Sequence, residues 1–228
     1  MEQMIKEMKD TVIFGNTQLA DQIIDDITES GIKNIKAVTV EKGSIPPGCD
    51  SFKGIPIYPF EDIENYLSVA DHEFIVCVGY TQMNNIRKRI YGEIIKKGYG
   101  ITGYIHPSAT VLSKNIGIGT LVFEKAVIGR HVSLGIGNII YPCALIAHHT
   151  IVGDYNFFAI SSSVAGNIIV GSNCFIGNNA STKDGIRISD YTLIGAGGYV
   201  AEDTQPYSVY VPPKSVHLVT KRSIDINL

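Results

Sequence analysis

The chain has 228 residues, 19 Lys plus Arg against 22 Asp plus Glu, and a formal net charge of −3. That balance argues against a basic nucleic-acid binder or a protein held electrostatically on a membrane surface. With 45 % hydrophobic residues, only 18 % charged ones and a mean hydropathy of +0.14, a disordered or acidic tail protein is excluded as well.

The length allows one large domain or two small ones. Two long uncharged stretches, 131–153 and 155–182, are studded with His, Asn, Ser and Gly and do not read as membrane-spanning helices. Residues 1–10 carry both signs of charge and lack the apolar core of a secretory signal, so a cytoplasmic protein is expected. Cys49, Cys77, Cys143 and Cys174 show no CxxC spacing, which predicts buried free thiols and neither zinc nor disulfides.

Taken in chain order, residues 11–14 (TVIF) predict a buried strand, followed by Gly15 and a helix over 17–30 with Leu19, Ile23, Ile24 and Ile27 on one side. A second strand is predicted over 35–40, a short helix over 59–67, and a third strand over 74–78. Residues 84–97 (NNIRKRIYGEIIKK) predict a charged amphipathic helix, leading to a strand around 101–105. Alternation of this kind points to a small parallel sheet with packed helices, whose ligands bind beyond the carboxyl ends of the strands. Here those ends are residues 15–18, 40–42 and 79–80. Gly15 follows a strand and precedes a helix, but GNTQLA (15–20) has one glycine where a dinucleotide fingerprint needs three. A nicotinamide site is therefore not expected, whereas a phosphate or nucleotide on the helix N-terminus at Asn16, Thr17 and Gln18 is.

Beyond about residue 108 the pattern changes. Of the 41 charged residues, 26 lie in the first 108 and 15 in the last 120. Stepping by six from Ile116 to Val200 meets fifteen positions, of which only Thr182 is neither aliphatic nor aromatic. The residue after each is usually Gly or Ala. A period of six with an apolar residue followed by a small one is the signature of a parallel β-helix of hexapeptide repeats. Three hexapeptides make one triangular coil, so 116–200 supplies a little under five. The bulky Phe123, Tyr141 and Lys183 at small positions are expected to mark a first coil, a distortion or a loop, and the chain after Asp203 to cap the stack.

His148 and His149 are the third and fourth residues of the hexapeptide that starts at Ile146, a corner whose side chains point outward. A step of 18 places Arg130, Gly166 and Asp184 in the column of His148. Gly166 is expected to leave a gap wide enough for a flexible cofactor arm. His106 and His131 read as structural.

The residues GNTQLA (15–20), VCVG (76–79), NIRK (85–88), YIHPSA (104–109), IAHHTIVG (146–153), IGAG (194–197) and YVPPK (210–214) carry a resemblance that spans almost the whole chain. The chain resembles the bacterial nucleotide-sugar acetyltransferases of the bacillosamine-pathway type and the related sialic acid O-acetyltransferases. The resemblance implies a Rossmann-like nucleotide-sugar-binding domain, 1–108, and a left-handed β-helix acetyltransferase domain with its cap, 109–228. It implies a histidine general base at His148, with His149 the other candidate. It implies acetyl-CoA as co-substrate at Gly166, Asn167, Ala180, Gly197 and Lys214, in the cleft between β-helices of a homotrimer. The nucleotide of the acceptor falls to Gly15, Asn16, Thr17, Gln18, Glu41, Lys42, Gly79 and Tyr80. No metal is implied.

The chain departs from that family at four points: the first loop (15–20) lacks the usual glycine and histidine, His149 stands where an acidic residue commonly follows the histidine, Phe157 matches a second histidine, and Tyr210 replaces a glycine. The expected reaction is acetyl-CoA-dependent N-acetylation of a nucleotide-linked amino sugar for surface glycan assembly, by direct attack on the thioester. Sugar O-acetylation and a non-catalytic nucleotide-sugar-binding trimer are the alternatives. A metal site formed by His131, His148 and His149 is a fourth reading, disfavoured because their coil positions do not obviously converge.

Overall fold

A computed structural model describes residues 9–215 together with 219 and 224. The N-terminal half builds one six-stranded sheet from β1 (Asp10–Phe14), β2 (Ile35–Val40), β3 (Ser51–Phe52), β4 (Ile55–Pro59), β5 (His72–Val76) and β6 (Gly100–Ile101), in the order β3-β4-β2-β1-β5-β6. All neighbours are parallel except β3 and β4, which form a hairpin. Helix α1 (Gln18–Ser30) buries Leu19, Ala20, Ile23, Ile24 and Ile27 on the sheet. It ends at Gly31, whose left-handed φ of 64° lets its N–H reach the carbonyl of Ile27. Helix α2 (Asn85–Lys96) buries Ile90, Tyr91 and Ile94 together with Arg87.

Two expectations change, and one element is added. The hairpin β3–β4 falls in a stretch for which no element was expected; β4 carries Pro56 and Pro59 next to the two-residue edge strand β3. The helix expected over 59–67 is a 3-10 segment, Phe60–Asn65, interrupted at Asp62. The single strand expected around 101–105 is two. Gly100–Ile101 closes the first sheet, and Tyr104–Ile105 opens the next one, with Gly103 pressed against the carbonyl of Thr120 at the turn between them.

From Tyr104 onward the chain winds as a left-handed parallel β-helix with three flat faces. The first face runs from Tyr104–Ile105 through Leu121–Val122, Ile139–Ile140, Phe157–Phe158, Phe175–Ile176 and Leu193–Ile194 to Val209–Tyr210. The second runs from Thr110–Val111 to Tyr199–Val200, the third from Asn115–Ile116 to Arg187–Ile188. The six-residue register holds throughout 116–200: each apolar position is the second residue of a two-residue strand and points into the core. Thr182, the exception, is buried too, and its Oγ1 accepts the N–H of Ala165 at 3.0 Å. The small residue that follows sits hard against the next coil; a Cβ on Gly117 would stand 2.1 Å from the carbonyl oxygen of Gly135. A left-handed residue turns the corners, for example His131 (φ 61°), His149 (φ 58°) and Asn167 (φ 57°).

Phe123 and Tyr141 mark no distortion. They lie at the ends of first-face strands, where the β-helix packs on the N-terminal sheet, and share a cluster with Leu19, Ile23 and Cys77. Lys183 is exposed on the second face, and nothing in the structure explains it. Of the thiols expected to be buried, Cys77 and Cys174 are, Cys49 is half-buried, and Cys143 is exposed at a corner. The segment after Asp203 continues the stack, with Val209–Tyr210 paired to Leu193–Ile194; the rest of the expected cap lies largely outside the described residues. Among the described residues no helix is long and apolar enough to cross a membrane.

Candidate active site

Two centres emerge. The first is a cleft of about 400 Å³ beyond the carboxyl ends of β1, β2 and β5, closed on its far side by the β-helix. Gly15, Asn16, Thr17, Glu41, Gly79 and Tyr80 line it, as expected from sequence. Gln18 and Lys42 do not. Gln18 begins α1 on the exposed side, and the N–H of Lys42 is held by the carboxylate of Glu61 at 2.9 Å. Gly15 has φ 135°, and a Cβ there would stand 2.6 Å from the carbonyl oxygen of Cys77. Glycine alone lets the chain leave β1 so close to β5. Thr17 caps α1 in extended conformation without a side-chain hydrogen bond, so the N-terminal N–H groups of the helix face the cleft region uncapped.

The far wall was missed from sequence. Tyr141 and Phe157 of the β-helix meet Tyr80, whose ring lies 5.0 Å from Phe157 and 4.8 Å from Phe175, although Tyr80 is 56 % exposed. The bulky Phe123 and Tyr141 at small positions were the available signal. The loop that carries Gly79 and Tyr80 is pinned from below by Arg87, which is fully buried. Its guanidinium donates to the carbonyls of Val78 and Gly79 and, across to the β-helix, to those of Gly137, Tyr155 and Asn156, at 2.7 to 3.2 Å. Burial lowers its pKa to about 10, so it remains charged at neutral pH without a carboxylate partner. Gln82, Met83 and Asn84 take three successive left-handed φ values, and Asn84 Nδ2 anchors the loop on the carbonyl of Cys174. Cys77 beneath the cleft is buried, which pushes its thiol far up and makes it a poor nucleophile.

The second centre is the corner of His148 and His149, both exposed. Their Nδ1 atoms are 3.1 Å apart with the rings nearly perpendicular, at 80°. That contact requires one N–H and one lone pair. His131, expected to be an ordinary corner residue, lies against His149, ring centroids 4.6 Å apart. His106 Nδ1 accepts the N–H of Ser108 at 3.0 Å, within its own turn. The gap expected above Gly166 is filled: a Cβ there would stand 2.6 Å from Cε1 of His148, so the imidazole itself occupies the space. The Gly166 N–H is bound to the Asp184 carboxylate at 3.1 Å and is not free to donate to a ligand.

Of the residues expected to hold acetyl-CoA, Gly166 and Asn167 sit at this corner. Ala180 is wholly in the core, its N–H on Gly177 and its carbonyl on Ser163. Gly197 lines a groove of about 540 Å³ with Tyr199 and residues 209–213, and Lys214 is exposed just beyond it. Ser163 and Ser181 stand on the second face between the histidine corner and that groove, which leaves a track of short side chains. No group of three metal-binding side chains is found among the described residues. Within one chain, Tyr141 of the cleft and His148 are separated by a whole face, at most about 23 Å of extended chain for seven residues.

No protein-family model matches the chain, and no curated protein matches it. Solved structures do. The acetyltransferase domain of PglB from Neisseria gonorrhoeae FA1090 superposes with a TM-score of 0.78 at 22 % identity, over 90 % of this chain and 97 % of that one. A GDP-perosamine N-acetyl transferase from Caulobacter crescentus, a variant in complex with CoA and GDP-perosamine, gives 0.78 at 23 % identity, over 90 % and 94 %. WeeI from Acinetobacter baumannii AYE gives 0.62 at 16 % identity, over 90 % and 97 %. The chain shares their fold from the N-terminal sheet through the β-helix.

Proposed function

We propose that the protein is an acetyl-CoA-dependent N-acetyltransferase of a nucleotide-linked amino sugar, with the N-terminal sheet holding the nucleotide and the β-helix, which begins at Tyr104 and so a few residues before the division expected at 108, carrying the transfer. One observation carries the reading: a nucleotide-sized cleft with an open helix N-terminus is built into the same rigid contact surface as a β-helix bearing an imidazole pair at a corner. The likeness supports it, since the PglB domain is also known in complex with acetyl coenzyme A and the Caulobacter enzyme with CoA and GDP-perosamine. A cytoplasmic location and a place in surface glycan assembly go with this reading.

His148 is the base. If His148 Nδ1–H donates to His149 Nδ1, the lone pair of His148 lies on Nε2, where it takes the proton from the attacking sugar amine. His149 then does what a carboxylate would do, fixing the tautomer and ring orientation of His148. The amine attacks the thioester carbonyl, the C–S bond breaks, and the proton on His148 is available to the departing thiolate. Because the cleft and the histidine corner lie a face apart in one chain, the site is completed between subunits of a homotrimer. The exposed Ile151 (53 %) and Ile169 (39 %) on the third face support such packing.

The test is release of free CoA from acetyl-CoA with a panel of nucleotide-linked amino sugars and their hydroxy counterparts. Turnover with amino sugars alone is expected. Turnover only with hydroxy sugars would make the protein an O-acetyltransferase, and tight binding of nucleotide sugars without any turnover would make it a binding protein.

A further inference from the structure

The corner that carries His148 continues into a feature the proposed reaction does not use. Toward the start of the β-helix, residues 112–115 and 130–133 enclose a groove of about 500 Å³. Lys114, Arg130 and His131 line it, and no Asp or Glu does. Residues 109–200 contain five Lys or Arg, namely Lys114, Lys125, Arg130, Lys183 and Arg187, so two of the five open onto one groove. Neither has a carboxylate within 4.0 Å among the described residues, unlike Lys33, Lys53, Arg89 and Lys97 of the N-terminal half.

The groove adjoins the imidazole pair. Arg130 stands one coil from His148, and its carbonyl accepts the N–H of His149 at 3.0 Å. His131 lies against His149. In the opposite direction along the same column come Gly166 and the Asp184 carboxylate. The sign of the corner therefore changes at His148, acidic on one side and basic on the other. Two like charges facing one groove without a counter-ion repel each other, and an entering anion relieves that repulsion. The planar fork of Arg130 suits two oxygens of one phosphate, and Lys114 adds a point charge.

We infer that this groove is a phosphate subsite that holds the diphosphate of a nucleotide ligand while its reacting end lies at His148; the ligand's identity rests on the acetyl-transfer reading. A nucleotide sugar and acetyl-CoA both carry such a diphosphate. The test uses Arg130→Gln and Lys114→Gln, singly and together, both being exposed surface positions. Inorganic pyrophosphate is titrated calorimetrically into the wild-type protein and the variants, and KM is measured separately for each substrate.

Wild-type binding of pyrophosphate is expected to weaken with added salt, and the double variant to bind about tenfold more weakly or worse. A rise in KM for the nucleotide sugar alone assigns the groove to the acceptor, and a rise for acetyl-CoA alone assigns it to the donor. Equal pyrophosphate affinity in wild type and double variant places the anion elsewhere and overturns the subsite, as does no binding by the wild type at millimolar pyrophosphate. If no acceptor is turned over but pyrophosphate binding still depends on Arg130, the acetyl-transfer reading fails and the subsite stands.

Discussion

The imidazole of His148 rests directly on Gly166, with no room for a methyl group between them. Gly166 lies one coil further on and has no left-handed φ, so alanine fits its backbone, and the nearest atoms it would meet are those of the ring. Gly166→Ala should therefore leave the thermal unfolding midpoint nearly unchanged and displace His148. A displacement of about 1 Å in a reacting group lowers kcat by about 10²-fold. Steady-state CoA release beside a melting curve checks both halves of the prediction.

His148 and His149 are predicted to separate in kinetics. His148→Ala should lower kcat by about 10² to 10⁴. His149→Asn keeps a residue that tolerates the left-handed corner and is expected to lower kcat less, with KM for both substrates unchanged, because it removes only the orienting partner. A His149 variant more damaged than the His148 variant would exchange the two roles.

Arg87 joins the cleft loop to the β-helix through five carbonyls. Arg87→Met leaves several of these buried acceptors without a donor, at about 1 to 3 kcal/mol each. Urea unfolding should show a loss of more than about 3 kcal/mol. Arg87→Lys, with a single ammonium, is expected to recover only part of it. An unchanged midpoint for Arg87→Met would mean that the two halves are held together by their apolar contacts and by the remaining hydrogen bonds, such as that of Asn84 to Cys174.

Gly15→Ala places a methyl against the Cys77 carbonyl at a φ that L-residues rarely adopt. The strain of about 1 to 3 kcal/mol is expected to spread β1 from β5 and distort the cleft. Nucleotide-sugar affinity should fall while pyrophosphate binding at Lys114 and Arg130 stays as in the wild type. Equilibrium titration of both ligands against one protein preparation tests this.

Asp26 on α1 carries a carboxyl oxygen that is buried without a partner, and its pKa is raised, first by burial and then by Glu124, Glu29 and Asp25, against the opposing effect of His106. A carboxyl whose folded pKa lies above its unfolded value of 3.8 binds more protons when folded, so stability falls as pH rises from about 4 through the raised value. Asp26→Asn should remove that slope and stabilise the protein at pH 7, by no more than about 1 kcal/mol because solvent screens a half-open site. Unfolding curves at pH 4, 5.5 and 7 give the sign. A variant less stable than wild type at pH 7 would show that the carboxylate has a favourable partner.

What the amino-acid sequence determined by itself was periodic and local. Each β-helix coil repeats the environment of the one before it, so the six-residue register from Ile116 to Val200 and the corner placement of His148 and His149 could be read directly. So could helix α1 and the loop Gly15–Thr17, which follow from apolar spacing and one glycine. Only the tertiary structure decided what distant segments do to one another: that Arg87 reaches Gly137 and Tyr155, that Phe123 and Tyr141 turn toward the N-terminal sheet, and that the gap at Gly166 belongs to the His148 ring. It also decided that Gly166 N–H is taken by Asp184 and that Ala180 is core. Side-chain contacts of this kind depend on which way each chemically ordinary residue points when coils and sheet come together, and no spacing along the chain encodes that direction. The 18-residue step sets 112–115 beside 130–133, but only the structure shows that Lys114, Arg130 and His131 open onto one groove.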